Sequence, residues 1–236
     1  MRIAATADLH VGKSSPGLLQ PLLSQITTGA DVLVLAGDIT DYGTADEARN
    51  LVKDLAASVR IPIVAVLGNH DFEAGHEGEI QQILVDHGVC LLDGGTCEVQ
   101  GVGFAGVKGF AGGFGRRALG PWGEPIIKQF VHEAVNEALK LESALARLRT
   151  DKKIVVMHYA PIQGTVEGEP CEIYPYLGSS RLEEPIGRYD VTAVLHGHAH
   201  NGQPEGRTST GVPVYNVAYP LMRKLTPDQP FRILDV

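Results

Sequence analysis

The chain has 236 residues, 44% of them hydrophobic, which is enough for one packed domain, and we predict a single domain over residues 1–236. Twenty basic and 28 acidic side chains give a formal net charge of −8. This balance argues against a protein that tracks duplex nucleic acid, although it leaves room for a local basic pocket.

The cysteines and the N-terminal segment predict a cytoplasmic protein. Cys90, Cys97 and Cys171 are odd in number and include no close metal-ligand pair, which is typical of reduced thiols rather than of a disulfide framework. The first residues, MRIAATADLH, turn polar after a very short apolar run. That pattern predicts neither a signal peptide nor a membrane span.

Short apolar runs recur along the chain and are typical of buried strands. In chain order, the predicted strands are Ile3–Ala7, Val32–Ala36, Ile63–Leu67, Val102–Gly106, Ile154–Met157, Val191–Leu195 and Val212–Val217.

Helical segments lie between several of these strands. The segment 44–57 begins with Thr44, and Glu47 three residues later completes a capping-box pattern. A later helix is indicated by apolar residues at helical spacing, namely Val131, Val135, Leu139, Leu145 and Leu148. Strands and helices that alternate predict α/β layering.

Two segments rich in glycine and proline, 106–125 and 159–180, are predicted to be long loops over the active face. No internal repeat or low-complexity tract interrupts the pattern.

Polar side chains follow five of the predicted strands directly. They lie in the segments Asp8-Leu9-His10, Gly37-Asp38-Ile39-Thr40-Asp41, Gly68-Asn69-His70-Asp71, His158, and His196-Gly-His198-Ala-His200. Any one of these could be a turn or a cap, and a histidine-rich surface turn would explain the last one alone. Because α/β sheets bind ligands at the carboxyl ends of their strands, we expect the five segments to converge.

The five segments together resemble the calcineurin-like metallophosphoesterase superfamily. Its pattern of D-x-H, G-D-x-x-D, G-N-H-[DE], a lone histidine and G-H-x-H matches DLH, GDITD, GNHD, the histidine of MHYAP, and GHAH. The resemblance implies a four-layer α/β/β/α sandwich of two mixed β-sheets flanked by helices. It also implies a hydrolase with two metal ions that share a carboxylate.

Carried over residue by residue, the resemblance implies two ligand sets that share Asp38. The first ion would be held by Asp8, His10, Asp38 and His200, and the second by Asp38, Asn69, His158 and His198. The nitrogen and oxygen ligands fit divalent transition metals, with Mn preferred and Fe, Zn, Co or Ni as alternatives.

These residue types suit hydrolysis of a phosphoester. Two neighbouring cations repel, so a bridging carboxylate and a bridging hydroxide are needed between them. Asp8, Asp38 and one hydroxide would offset two dications only in part, leaving a charge of roughly +1 that attracts phosphate. The hydroxide would then attack phosphorus directly, without a covalent intermediate.

His70 and Asp41 are the predicted catalytic pair. The resemblance implies that His70 is not a ligand, so it can protonate the leaving oxygen or stabilise the phosphoryl charge, while Asp41 would hold its imidazole in the needed tautomer. For Asp71 we favour a structural role in pinning the turn over a catalytic one. We expect His196 to support the ligands rather than bind metal.

Departures from the superfamily pattern narrow the range of expected substrates. Tyr42 occupies the position where its protein phosphatases carry a phosphate-binding arginine, and GDITDYG followed by GNHD is more similar to the cyclic-nucleotide and small-phosphodiester branch. Lys108, Arg116 and Arg117 could replace the arginine, but solvated loop side chains are the commoner outcome. Phe114 and Trp122 could line a base pocket or simply anchor a loop.

We therefore predict a metal-dependent phosphodiesterase or phosphatase that acts on a small phosphorylated substrate, with no membrane partner. Two alternatives remain open. One is a binding or scaffold protein on the same fold, although such a protein would be expected to have lost ligands. The other is a nuclease, which the acidic charge balance disfavours.

Overall fold

The computed structural model describes residues 1–12 and 17–236. In this part of the chain the strands form two mixed sheets. The first sheet has the order β11-β1-β2-β3-β4 and consists of β1 (Arg2–Thr6), β2 (Val32–Ala36), β3 (Ile63–Val66), β4 (Val89–Leu91) and β11 (Arg232–Asp235). Only β11 runs antiparallel to its neighbour.

The second sheet has the order β5-β6-β7-β8-β10-β9. It consists of β5 (Gly95–Val99), β6 (Val102–Gly106), β7 (Lys152–Val156), β8 (Ala193–His196), β9 (Glu205–Arg207) and β10 (Pro213–Asn216). Its four central strands are parallel and its two edge strands are antiparallel. The carboxyl ends of the parallel strands in each sheet therefore lie along one edge of that sheet.

Seven α-helices lie in the described part of the chain, and five of them pack on the outer faces of the two sheets. The seven are α1 (Gln20–Gly29), α2 (Ala45–Ser58), α3 (Glu77–Asp86), α4 (Pro125–Arg147), α5 (Tyr174–Leu177), α6 (Glu183–Ile186) and α7 (Tyr219–Leu225). Side chains of α1, α2 and α3 form one core cluster with the first sheet, and side chains of α4 and α6 form another with the second sheet. A third cluster fills the space between the two sheets. The predicted four-layer sandwich is confirmed.

Strand β2 shows why these strands are uninterrupted apolar runs. All five of its residues are buried. Leu33 and Leu35 pack with the helices, whereas Val32, Val34 and Ala36 pack between the sheets. Because successive side chains point to opposite faces and both faces are covered, the strand has no polar face.

The prediction was wrong for part of α4. Leu139, which we placed on its apolar face, is 56% exposed, while Val131 and Leu145 are buried. Ala134, Leu141 and Ala144 complete the buried stripe. The buried stripe contains alanine as well as larger apolar residues. A prediction from the larger residues alone therefore placed the buried stripe incorrectly on the helix.

Helix α2 begins where predicted, and Glu47 accepts hydrogen bonds from the main-chain N–H groups of Tyr42 and Thr44, both at 3.1 Å. No helix in the described part of the chain is long and apolar enough to cross a membrane.

Candidate metal centre

The predicted ligands converge where the two sheets meet. Asp8 and Asp38 follow β1 and β2 of the first sheet, and His158 follows β7 of the second. The segments after β1 and β2 are joined by main-chain hydrogen bonds from Asp8 N to Gly37 O at 2.9 Å and from His10 N to Asp38 O at 3.1 Å. The edge formed by strand carboxyl ends therefore presents side chains from both sheets to one site.

The backbone is unusual at this edge. Asp8, His10, Asp38 and His198 have positive φ angles of 57°, 45°, 47° and 72°. Such angles are uncommon for residues other than glycine, and each costs on the order of 1–3 kcal/mol unless the surroundings impose it. Among the described residues only one further non-glycine residue, Gln100, shares this conformation. Backbone strain is thus concentrated on four of the seven predicted ligands.

Two motif glycines make room for carboxylates from other motifs. A Cβ atom on Gly68 would overlap the carboxylate and main-chain nitrogen of Asp38. One on Gly197 would overlap the carboxylate of Asp8 and the methyl group of Ala7. Each glycine is needed because a ligand from a distant part of the chain packs directly against it.

The first cluster is centred on the buried Asp8 carboxylate. Its Oδ1 lies 3.0 Å from Nε2 of His200, and both carboxylate oxygens accept the main-chain N–H of His198, at 3.1 and 3.0 Å. Ligand atoms of Asp8, His10 and His200 lie within 4.8 Å of one another. Nε2 of His10 is 3.9 Å from Oδ2 of Asp38, which brings the fourth predicted ligand to the same place.

The second cluster surrounds Nε2 of His158. This atom lies 2.9 Å from Oδ1 of Asn69, 3.1 Å from Nδ1 of His198 and 3.3 Å from Oδ1 of Asp38. Asp38 therefore faces both clusters, with Oδ1 toward His158 and Oδ2 toward His10.

Hydrogen bonds behind the rings decide which nitrogen atoms carry lone pairs. Nδ1 of His158 faces the main-chain oxygen of Ala36 at 3.0 Å, and Nε2 of His198 faces that of Tyr176 at 3.2 Å. A carbonyl oxygen only accepts, so these nitrogen atoms donate and the two inner nitrogen atoms of the neutral rings carry lone pairs. When both rings are neutral, four acceptor atoms point at one another, and a cation stabilises this arrangement, either a metal ion or a proton on His158.

The first cluster also contains a polar atom that a cation would stabilise. Nε2 of His10 is buried and has no hydrogen-bond partner among the described residues. Buried polar nitrogen atoms are normally paired, and an unpaired one costs about 1–3 kcal/mol. Both clusters thus fit divalent metal ions held by nitrogen and oxygen ligands.

In the second cluster, His158 and Asp38 are the two residues whose charged forms are favoured. Burial lowers the pKa of His158, but the neighbouring Asp38 carboxylate outweighs it and raises that pKa to about 9. Burial raises the pKa of Asp38, but His158 and the main-chain N–H of His70 outweigh it, so the net shift is downward. Burial, reinforced by His158, lowers the pKa of His198 to about 4. Without metal, His158 and Asp38 form an ion pair.

At the first cluster the two imidazoles shift in opposite directions. Burial lowers the pKa of His10, and the Asp38 and Asp8 carboxylates offset that only in part. The hydrogen bond to Asp8 raises the pKa of His200.

His70 lies beside both clusters. Its main-chain N–H donates to Oδ1 of Asp38 at 2.8 Å, and its ring stands edge-on to that of His10 with 4.6 Å between the centroids. One ring nitrogen atom of His70 also comes within 4.8 Å of ligand atoms of His10 and Asp38.

The expected contact between the Asp41 carboxylate and His70 was wrong. Nδ1 of His70 lies 2.7 Å from the main-chain oxygen of Asp41, whereas Oδ1 of Asp41 lies 3.4 Å from Nδ1 of His10. The turn after β2 directs the carbonyl group of Asp41 to one imidazole and its carboxylate to the other. Nε2 of His70 is then the nitrogen that remains to face a substrate.

Asp71 and His196 are buried residues that form hydrogen bonds with the segments around the site. Asp71 is fully buried, and its carboxylate accepts from Gly68 N at 2.8 Å and from N and Oγ1 of Thr40 at 2.8 and 2.7 Å. These hydrogen bonds hold the turn after β3 in place, as we predicted for Asp71. His196 is also buried, with Nε2 2.8 Å from Oγ1 of Thr165, and burial lowers its pKa to about 4.

The basic and aromatic loop residues differ in their surroundings. Arg116, Arg117 and Tyr42 are exposed, and Trp122 is 74% exposed. Lys108, in contrast, lies against aromatic rings, with Nζ 5.4, 5.0 and 5.3 Å from the ring centroids of Phe72, Phe110 and Tyr159.

Sequence reasoning missed Tyr159 as a residue of the site. Its ring centroid is 4.6 Å from that of His198, and its pKa is raised, first by burial and then by Asp38 and Glu137. Its position directly after His158 in MHYAP was the available signal.

The chain is similar in sequence to known phosphoesterases. A family model described as calcineurin-like phosphoesterase matches residues 1–202. A cAMP/cGMP dual specificity phosphodiesterase of Mycobacterium tuberculosis is 27% identical over 223 residues, which cover 89% of this chain and 59% of that protein. A probable glycerophosphodiester phosphodiesterase of Arcobacter nitrofigilis is 24% identical over 176 residues, which cover 72% of this chain and 56% of that protein.

Solved structures show the same fold. The phosphopantetheinyl hydrolase of Mycobacterium tuberculosis has a TM-score of 0.69 at 17% identity, covering 98% of this chain and 95% of that one. The protein TT1561 of Thermus thermophilus has a TM-score of 0.59 at 14% identity, covering 99% and 98%. The chain spans less than two thirds of the length of the two curated relatives described above.

Proposed function

Because the chain belongs to the calcineurin-like phosphoesterase family, we propose that it is a dinuclear metal-dependent phosphoesterase that hydrolyses a small phosphodiester or phosphomonoester. The observation that carries this proposal is the convergence of lone-pair atoms from both sheets on Asp38. The names of both curated relatives include a phosphodiesterase activity, which favours a diester.

The proposed ligand sets share Asp38 and follow the two clusters. Asp8, His10, Asp38 and His200 hold one ion, and Asp38, Asn69, His158 and His198 hold the other. The first set consists of imidazole and carboxylate groups, and the second adds the amide of Asn69. These groups admit Mn, Fe, Zn, Co or Ni, with Mn as our first choice. When bound, two such ions supply Lewis-acid activation of water and of the phosphoryl oxygens.

His70 acts on the leaving group in this proposal. The Asp41 carbonyl group holds Nδ1 as a donor, so a protonated ring presents Nε2–H to the ester oxygen that leaves. Asp41 contributes through this carbonyl group and, through its carboxylate, fixes the ring of His10. His70 therefore remains a proton donor to substrate and not a ligand.

Two wider predictions also remain proposals. We propose that residues 1–236 form one domain, since one core cluster draws side chains from both sheets. We also propose a cytoplasmic location, which the three free cysteines support.

The proposal is tested by a substrate screen with defined metals. Purified protein is stripped of metal, loaded with Mn²⁺, Fe²⁺, Zn²⁺, Co²⁺ or Ni²⁺, and assayed on phosphomonoesters, linear and cyclic phosphodiesters, and single- and double-stranded DNA. We expect hydrolysis of small esters that Asp38→Asn abolishes. Hydrolysis of DNA alone would favour a nuclease, and no hydrolysis with any metal would favour a binding protein.

A further inference from the structure

The chain crosses from the first sheet to the second between β4 and β5, which are edge strands of their sheets. The crossing is held against both sheets, because Leu92 N donates to Ala65 O of β3 and Gly94 N donates to Gly106 O of β6, both at 2.8 Å. Leu92 also packs closely on Gly106, where a Cβ atom would lie 2.9 Å from that of Leu92. The corner between these two edge strands is therefore fixed in position.

Two cysteines face each other across this corner. Cys90 lies three residues before Asp93, and Cys97 lies three residues after Gly94. Because β4 enters the corner and β5 leaves it, residues at equal distance from the corner come opposite each other, as they do in a hairpin. Both cysteine side chains pack against the core cluster between the sheets. A thiol from each sheet therefore points to the same place.

The two thiol groups are in contact. The Cys97 S–H group donates a hydrogen bond to the Cys90 sulfur, which lowers the pKa of Cys90 and raises that of Cys97. Sulfur atoms in contact need only small side-chain rotations to reach the S–S bond length of about 2.05 Å. Both side chains are only half-buried, which leaves them open to a small reagent.

The opposite edges of the two sheets are already joined by a side-chain contact. There Arg232 of β11 and Glu205 of β9 form an ion pair at 2.8 Å. Strands β11 and β9 are the other two edge strands. A covalent bond between Cys90 and Cys97 would join the remaining pair of edges.

We infer that Cys90 and Cys97 form a redox modification site, which low-molecular-weight disulfides convert to an intramolecular disulfide that joins the two sheets. With glutathione disulfide as oxidant, the Cys90 thiolate attacks one of its sulfur atoms, so that a mixed disulfide forms and one glutathione thiolate leaves. The Cys97 sulfur then attacks that of Cys90 and displaces the second glutathione. Two protein thiols are oxidised, one glutathione disulfide is reduced, and the two protons pass to the released glutathione thiolates.

Oxidation of the folded protein tests this inference. Reduced, purified protein is equilibrated with increasing ratios of glutathione disulfide to glutathione, the remaining thiols are alkylated, and the peptides are mapped by mass spectrometry. We expect the peptide that contains both Cys90 and Cys97 to lose two hydrogen atoms and to resist alkylation. The exposed Cys171 should instead hold glutathione as a mixed disulfide.

Single substitutions identify the partners. Cys171→Ser is the matched control and should form the same disulfide as the wild type. Cys90→Ser and Cys97→Ser should form none, and the cysteine that remains should stay a thiol or hold glutathione. If Cys90 and Cys97 of the wild type were still alkylated after treatment with excess glutathione disulfide and with diamide, the inference would be overturned. A bond from either of them to Cys171, or stable glutathione adducts on both, would overturn it as well.

Calorimetry measures what the disulfide does to the fold. The bond would close a loop over residues 90–97, and a loop of this length predicts a Tm that is roughly 5–10 °C higher for oxidised than for reduced wild type. Excess glutathione should reverse the shift, and Cys90→Ser should show none. An unchanged or lower Tm in the oxidised protein would overturn the inference, because a bond that joins the sheets in their native arrangement stabilises that arrangement.

Discussion

Replacement of Asp38 by asparagine tests the shared metal centre directly. Its carboxylate faces both clusters, 3.3 Å from Nε2 of His158 and 3.9 Å from Nε2 of His10. Asparagine has almost the same shape and can still accept the main-chain N–H of His70. The substitution therefore removes charge and leaves the local fold in place, and we expect both ions to be lost together.

The size of the loss follows from the charge removed. Two unit charges 4 Å apart interact by about 4 kcal/mol at the effective dielectric constant of 20 that suits protein sites. A dication doubles this value, while the penalty for removing the carboxylate from water offsets part of it. A net loss of about 4 kcal/mol for each ion corresponds to roughly a thousandfold weaker binding.

Metal content after dialysis against chelators of graded affinity provides the assay. Wild-type protein should retain two ions at chelator strengths that strip Asp38→Asn completely, whereas His10→Ala should lose one ion. Circular dichroism checks that each variant is folded, and Asp46→Asn, at an exposed position on α2, is the charge control. If folded Asp38→Asn kept both ions against the same chelator as the wild type, Asp38 would not be shared.

Four other predictions follow from the same contacts. His70→Ala should keep both metals while kcat falls by roughly 10²–10⁴ on alkyl esters and less on 4-nitrophenyl esters, which need no proton; loss of a metal would make it a ligand instead. Asp71→Asn should lower the free energy of unfolding in urea by roughly 2–4 kcal/mol, because the amide nitrogen that replaces one carboxylate oxygen cannot accept from the buried N–H donors, and Asp46→Asn should change it little. Gly68→Ala should reduce metal content, since its methyl group displaces Asp38, and normal content would contradict the close packing. Chelation should lower the Tm of the wild type but hardly that of Asp38→Asn, as measured by calorimetry with and without chelator.

The layers of the fold could be predicted because burial on both sides imposes a simple pattern. Val32–Ala36 and Val102–Gly106 are strands at the predicted residues, and all their side chains are buried. The edge strand Glu205–Arg207 has no such pattern, because two of its three residues are exposed. Sequence periodicity thus reveals the strands that the core covers and misses those at the edge.

The residues that meet at the candidate metal centre could be predicted from the sequence, but the atoms through which they contact one another could not. The position of Asp41 near the proposed catalytic residue His70 could be inferred, yet its carbonyl group and not its carboxylate contacts His70. That choice depends on the main-chain direction of one turn. Likewise, Lys108 could not be distinguished from Arg116 on the same loop, because only packing against Phe72, Phe110 and Tyr159 separates them.

Contacts between the sequence motifs explain why the site needs all of these motifs together. Asp8, from the first sheet, accepts the main-chain N–H of His198, which follows a strand of the second. Gly197 lies against the same carboxylate, so any side chain there would separate the two sheets at this point. The proposed ligands are therefore brought together by the packing of the sheets, and ions bound between them would stabilise that packing in return. A change that loosens the contact between the sheets weakens the metal centre even when every ligand is retained.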